Sequence, residues 1–335
     1  MSRKRAASEQ LTSGDEEGAA AGDFSTLSVY SYKNAVATAF FESDGANAKA
    51  HAIMSCVFGT RKNHSMFSAT RSESGTFLVF DTAMSPLFLD TPPPQAEQWR
   101  VLYIHEGSED RRGSDISGAL SALCARLADA AVPVLNVCTL ARNFMLVREA
   151  VSERALATLR GAVEASHAGA PADLKPSLLA AADGVALRLL RPRFAICTFS
   201  LEQLPALSHA LLQLFFLLEG GAFFHFFEMG GEASLIFEQA MLECLDVEFP
   251  SSASTLREAT AASLTSDWRV MSVTVADGCD GVGILGAVCL PLASVPLMNV
   301  STLDQTFLLF ADRHTARAMR LLQPHFAVAS EEGEL

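Results

Sequence analysis

Positive charge is what this 335-residue sequence is short of: 25 Lys and Arg stand against 38 Asp and Glu, for a formal charge of −13 and a pI of about 5.1. A summed field of that sign repels phosphate backbones and anionic bilayers, so neither nucleic acid nor a membrane surface is an expected partner. The one basic cluster, Arg3-Lys4-Arg5, lies in an Ala/Gly/Ser/Glu-rich opening stretch that reads as a disordered tail over residues 1–25. No apolar segment follows it, so no secretory signal and a cytosolic location are expected. Long apolar runs are also missing. A spanning helix needs about 20 nearly unbroken apolar residues. The nearest stretch, Leu204 to Phe227, is interrupted by His209, Gln213, Glu219 and Gly220-Gly221. It predicts a buried helix, a glycine turn and a buried strand. The seven cysteines are dispersed, without CxxC or Cys/His ligand spacing. They exclude a disulfide framework or a recognisable metal site and read as reduced core thiols.

Core material is plentiful, since half of the residues are hydrophobic and 19% are charged, the balance of a globular chain with several modules of ordinary size. Tryptophan occurs only twice, and both copies mark a duplication. Trp99-Arg100-Val101 precedes the helical pattern Ile116 to Val132, then VPVLNVCTLARNFMLV at Val132 to Val147. Trp268-Arg269-Val270 precedes Gly283 to Val295, then VPLMNVSTLDQTFLLF at Val295 to Phe310. Ile116, Leu120, Leu123 and Leu127 share one helix face. The twin sequences predict two short strands around a polar dip, at Thr139 to Asn143 and Thr302 to Thr306, each followed by a second helix. Weaker copies fit at Arg193 to Gln239, with a hairpin at Gly230-Gly231, and at Met66 to Thr82, with a turn at Glu73 to Gly75.

Few groups suggest chemistry. Gly278-Cys279-Asp280-Gly281-Val282-Gly283 precedes a helix but lacks the Lys-Ser/Thr of a P-loop and the spacing of a dinucleotide loop. It reads as a tight turn or a small-ligand loop. His209 and His225 read as hydrogen-bonded core residues. Cys138 and Ser301 occupy one place in the repeat and read as small packing residues. No catalytic residue, metal ligand or cofactor is expected.

The segment GVGILGAVCLPLASVPLMNVSTLDQTFLLF resembles an ACT domain of small amino-acid-binding regulators. The order of the copies, with RFAICTF and LPAL in the third, is similar to the cytosolic arginine sensor (CASTOR) family over roughly residues 26 to 325. The resemblance implies an α+β fold of four tandem ACT-like (ferredoxin-like βαββαβ) modules at residues 26–90, 99–166, 192–245 and 266–325. Modules two and four are paired, and residues 326–335 form an acidic tail. It further implies a non-enzymatic sensor acting upstream of TOR kinase signalling, a free amino acid as ligand and a GATOR-type complex as partner. Exposed sheet edges suggest a homodimer. Carried over by position, Pro133 and Val134 form a strand edge at the ligand, Gly278 begins the wrapping loop, and Thr302 and Leu303 form the opposite wall. The family's serine, loop glutamate and hairpin aspartate fall on Pro133, Gly281 and Thr306, while Asp280 and Asp304 stand close enough to substitute. A neutral or smaller amino acid is therefore expected to compete better than arginine, because a buried guanidinium without carboxylates is costly. At Leu140 to Asn143 the family's partner-binding pattern is absent. The alternatives are an ACT-derived structural or adaptor protein without ligand, or a regulatory subunit of an amino-acid biosynthetic enzyme.

Overall fold

A computed structural model describes residues 27–42, 45–59, 66–106, 117–139, 142–167, 184–217, 223–275 and 283–330. Its strands in the first half are β1 (Leu27–Phe41), β2 (Met66–Ser72), β3 (Gly75–Asp81), β4 (Trp99–Glu106), β5 (Val134–Cys138) and β6 (Asn143–Arg148). In the second half they are β7 (Val185–Leu189), β8 (Phe194–Ser200), β9 (Phe223–Met229), β10 (Glu232–Glu238), β11 (Thr265–Val275), β12 (Met298–Ser301), β13 (Gln305–Ala311) and β14 (Ala327–Ser330). The helices are α1 (Gly45–Ala48), α2 (Ala50–Phe58), α3 (Ser85–Phe88), α4 (Ser117–Asp129) and α5 (Ser152–His167), then α6 (Leu204–Leu212), α7 (Gln239–Glu248), α8 (Pro250–Thr260), α9 (Ile284–Cys289) and α10 (Thr315–Leu322).

The expected four tandem ferredoxin-like modules are corrected by the sheet. Strands run β13-β12-β5-β6-β4-β1-β3-β2-β9-β10-β8-β11, and β11 pairs back to β13. The result is one closed antiparallel barrel of twelve strands, with β7 and β14 attached beside β11 and a single parallel pairing between those two. The physical reason is that each short sheet would leave rows of unpaired backbone groups at its edges, and closure gives those rows partners. Stretches outside the four expected modules also contribute: β7 lies between residues 167 and 192, α8 between 246 and 266, and β14 in the expected acidic tail.

Closure explains the apolar runs. β3 (GTFLVFD) and β9 (FFHFFEM) are buried at every position, because helices cover one face and the barrel interior takes the other, so neither face needs polar residues. Leu78 and Phe80 pack under helices with Ile53, Leu207 and Leu211. Phe77 and Val79 point the other way, to Trp99, Phe144 and Phe227. Interior rings from non-neighbouring strands touch, Phe144 to Phe227 at 5.0 Å and Phe223 to Phe307 at 4.3 Å. The barrel is thus flattened and packed. Among the described residues no helix is long and apolar enough to cross a membrane. Of the two histidines expected in the core, His225 is fully buried and bonded to Thr70 Oγ1 at 2.9 Å, whereas His209 is exposed on α6.

The twin sequences lie together. Val137 on β5 pairs with Val300 on β12, and α4 packs on α9 so closely that a Cβ at Gly286 would stand 3.2 Å from the Ala125 nitrogen. Trp99 opens β4, and Trp268 is the fourth residue of β11.

Candidate functional site

Both polar dips are hairpin turns of one construction. Thr139 N donates to Arg142 O at 2.8 Å, and Arg142 N donates to Thr139 Oγ1 at 3.0 Å. Thr302 N donates to Gln305 O at 2.8 Å, and Gln305 N donates to Thr302 Oγ1 at 3.1 Å. The threonine after Cys138 or Ser301 is therefore a turn-former, whose hydroxyl mimics a backbone acceptor. Because β5 and β12 are antiparallel, the two hairpins fall at opposite ends of the barrel.

At one end, the Thr302–Gln305 turn lies on the same side as the start of β5. Pro133 there is exposed and Val134 half-buried. β11 reaches this end as well, since Thr274 pairs with Gln305. The described chain then resumes at Gly283, whose φ of +86° is in the left-handed region that suits glycine, and which caps α9. Gly278, Asp280 and Gly281 lie outside the described residues. Pro133, Val134, Thr302, Leu303, Asp304 and Thr306 thus share one barrel end, with Leu303 53% exposed.

Asp304 is the charged centre of this end. Its Oδ1 accepts from Thr302 Oγ1 at 2.7 Å, and its Oδ2 accepts from Ser74 Oγ at 3.0 Å and from Gln305 Nε2 at 3.2 Å. All three donors are neutral, and no ion pair to Asp304 is formed among the described residues. The carboxylate is oriented but not neutralised. Thr306 Oγ1 bonds Ser301 Oγ at 3.0 Å, so its hydroxyl is engaged within the hairpin. Ser74 comes from the β2–β3 turn, and Gln305 Nε2 also bonds it at 3.0 Å. Sequence reasoning missed Ser74, because 230 positions separate it from Asp304 and nothing local marks it.

Several thiols and one imidazole are withdrawn from solvent, while Cys244 and His209 are exposed. Burial pushes the Cys138 and Cys124 thiols up to about 12, although the Asn299 backbone at Cys138 and the Asn136 Nδ2 that donates to Cys124 Sγ act the other way. Cys197 is likewise pushed up to about 12, and burial brings His225 down to about 3. Protonated thiols and a neutral enclosed imidazole are poor reagents. Among the described residues no group of three or more His, Cys, Asp or Glu is arranged to hold a metal ion. Asn136 and Asn299, equivalent in the repeat, are fully buried beside these thiols.

No protein-family model and no curated protein sequence matches the chain. Solved structures overlap it in part. The Atu0741 protein of Agrobacterium tumefaciens is 18% identical, with 44% of this chain and 93% of that one covered at a TM-score of 0.32. Aspartate kinase from Synechocystis is 13% identical, covering 91% of this chain and 56% of the kinase at 0.31. Aspartate kinase from Clostridium acetobutylicum, an allosteric enzyme, is 13% identical, covering 43% and 34% at 0.31. TM-scores at this level describe overlap of elements and carry no functional argument.

Proposed function

We propose that the chain is a non-enzymatic regulatory protein that binds a free amino acid at the Asp304 end of the barrel. One observation carries the reading: a carboxylate held by three neutral donors, with no ion pair to it among the described residues, where the two repeat copies meet. A fixed and uncompensated anion is suited to an incoming ammonium, because its orientation is set before the ligand arrives. Pro133 and Val134 supply an open strand start, and Leu303 an exposed apolar contact for a side chain. The enclosed thiols and imidazole favour binding over catalysis.

The finer reading follows the sequence resemblance. The protein acts in the cytosol as a sensor similar to the arginine sensors upstream of TOR kinase, through a GATOR-type complex. With Gly281 and Thr306 in place of carboxylates, Asp304 is left to hold one positive charge, which every amino acid carries at its α-ammonium. Arginine then gains little over a smaller neutral amino acid. Calorimetry of the full chain with each amino acid tests this. Micromolar to millimolar binding that falls at least tenfold in Asp304→Asn is expected, a factor that corresponds to 1.4 kcal/mol. If no amino acid binds, or if Asp304→Asn binds as well as the parent protein, the reading fails and an adaptor without ligand takes its place.

A further inference from the structure

All three tyrosines of the chain, Tyr30, Tyr32 and Tyr103, meet at the barrel end opposite Asp304. Tyr30 and Tyr103 are register partners on β1 and β4, with ring centroids 6.3 Å apart. His105 adjoins them, 5.7 Å from the Tyr103 ring and within 3.1 Å of its hydroxyl. Tyr30 is 54% exposed, while Tyr32, Tyr103 and His105 are half-buried. Over the Tyr103 ring lies the guanidinium of Arg142, 6.0 Å from the centroid, and its Nη2 stands 3.5 Å from Glu232 Oε2. Gly230 leaves room for it: its φ is +64°, and a Cβ there would stand 3.1 Å from Arg142 Nη1.

An aromatic face, a carboxylate and a cleared backbone around a planar cation are the parts of a guanidinium receptor. Arg142 fills it loosely. Its distance to the ring is at the outer limit of a cation–π contact, about 6 Å. Its ion pair is to a carboxylate 56% exposed, and pairs of that kind contribute little. At the matching place in the other hairpin stands Gln305, which is neutral.

We propose that this cage is a second binding site, for a free guanidinium compound of arginine's size or smaller, and that Arg142 is its built-in competitor. The site does not depend on the amino-acid reading of the Asp304 end. A ligand guanidinium stacks on Tyr103, pairs with Glu232 and displaces Arg142, which is already 31% exposed, into solvent. Tyr30 then contributes a second ring beside the first. A tethered competitor acts at an effective concentration on the order of millimolar, so removing it tightens binding of a submillimolar ligand about tenfold.

Methylguanidinium is the probe, because it has neither the α-ammonium nor the α-carboxylate of an amino acid. Titration calorimetry on the full chain is expected to show binding to Arg142→Ala about tenfold tighter than to the parent protein. That binding should be lost in Arg142→Ala/Tyr103→Leu and unchanged in Arg142→Ala/Asp304→Asn. If the Tyr103 variant fails to fold, Arg142→Ala/Glu232→Gln takes its place, with at least a fivefold loss expected at this exposed position. Equal binding by Arg142→Ala and the parent protein overturns the proposal. So does binding that survives loss of Tyr103 or Glu232, and dependence on Asp304 alone would place the probe at the other end of the barrel.

Discussion

The barrel is closed at two junctions between its halves, and they are built differently. β2 and β9 are joined by seven register pairs, from Met66 and Met229 to Ser72 and Phe223. β5 and β12 are joined by one, Val137 with Val300. The first junction is a hydrogen-bonded ladder with large rings across it, Phe67 lying 6.3 Å from Phe226. The second is held by the helices above it, where α4 and α9 approach at Gly286 and Ala125, and by Cys138 Sγ bonding Asn299 at 3.3 Å. A seam with few backbone bonds opens at lower free energy than a full ladder. The residues expected to meet a ligand lie at this weaker seam, where added contacts change most.

Damage to the ladder should cost most. Phe226→Ala removes a fully buried ring that also lies 5.5 Å from Phe215, and such truncations cost about 3–5 kcal/mol. A denaturant midpoint lowered with unchanged slope is the expected reading. At the seam, Gly286→Val forces a branched side chain against the α4 backbone, with a loss of about 1–3 kcal/mol from overpacking. Amide exchange should then quicken around Val137 and Val300 while β2 and β9 stay protected. A uniform increase around the barrel would mean that the junctions are not independent.

Acid tests the ladder through His225. Its folded-state pKa of about 3 lies below the ordinary 6.5 because burial penalises the charged ring. The unfolded chain therefore takes up a proton that the folded one refuses, and stability falls as pH drops through 6.5 toward 3. Between pH 7 and 5.5 this amounts to about 1 kcal/mol. His225→Phe should remove that slope, as thermal unfolding at the two pH values will read. The smallest change expected is from Cys138→Ser, which gives the first copy the residue of the second. It replaces one weak hydrogen bond by another, so a shift of less than about 1 kcal/mol is expected in the same unfolding measurement.

Much of the local structure was legible in the sequence. The twin stretches became β5–β6 and β12–β13, and Gly230-Gly231 and Glu73 to Gly75 mark real hairpins, because turn chemistry and strand alternation act over a few residues. Closure was not legible, since pairing β2 with β9 depends on partners some 160 positions apart, a separation that the pair Met66 and Met229 illustrates. Its only trace was the doubly apolar FLVF and FFHFF, which need cover on both faces. At the candidate site, Thr302 and Asp304 were visible as a polar dip, but Ser74 and the neutral character of the donors were not. The three tyrosines stand at unrelated spacings, so nothing in the sequence says that they meet.

Closure also makes the chain divisible. The ring order places β1 to β6 in one continuous arc and the remaining six barrel strands in the other. A cut between residues 167 and 184 would yield two fragments, each with two raw strand edges that only the other fragment fits. Either alone should precipitate through those edges. Produced together they should reassemble, zipping from β2 and β9 first, which makes this fold a natural scaffold for a split reporter.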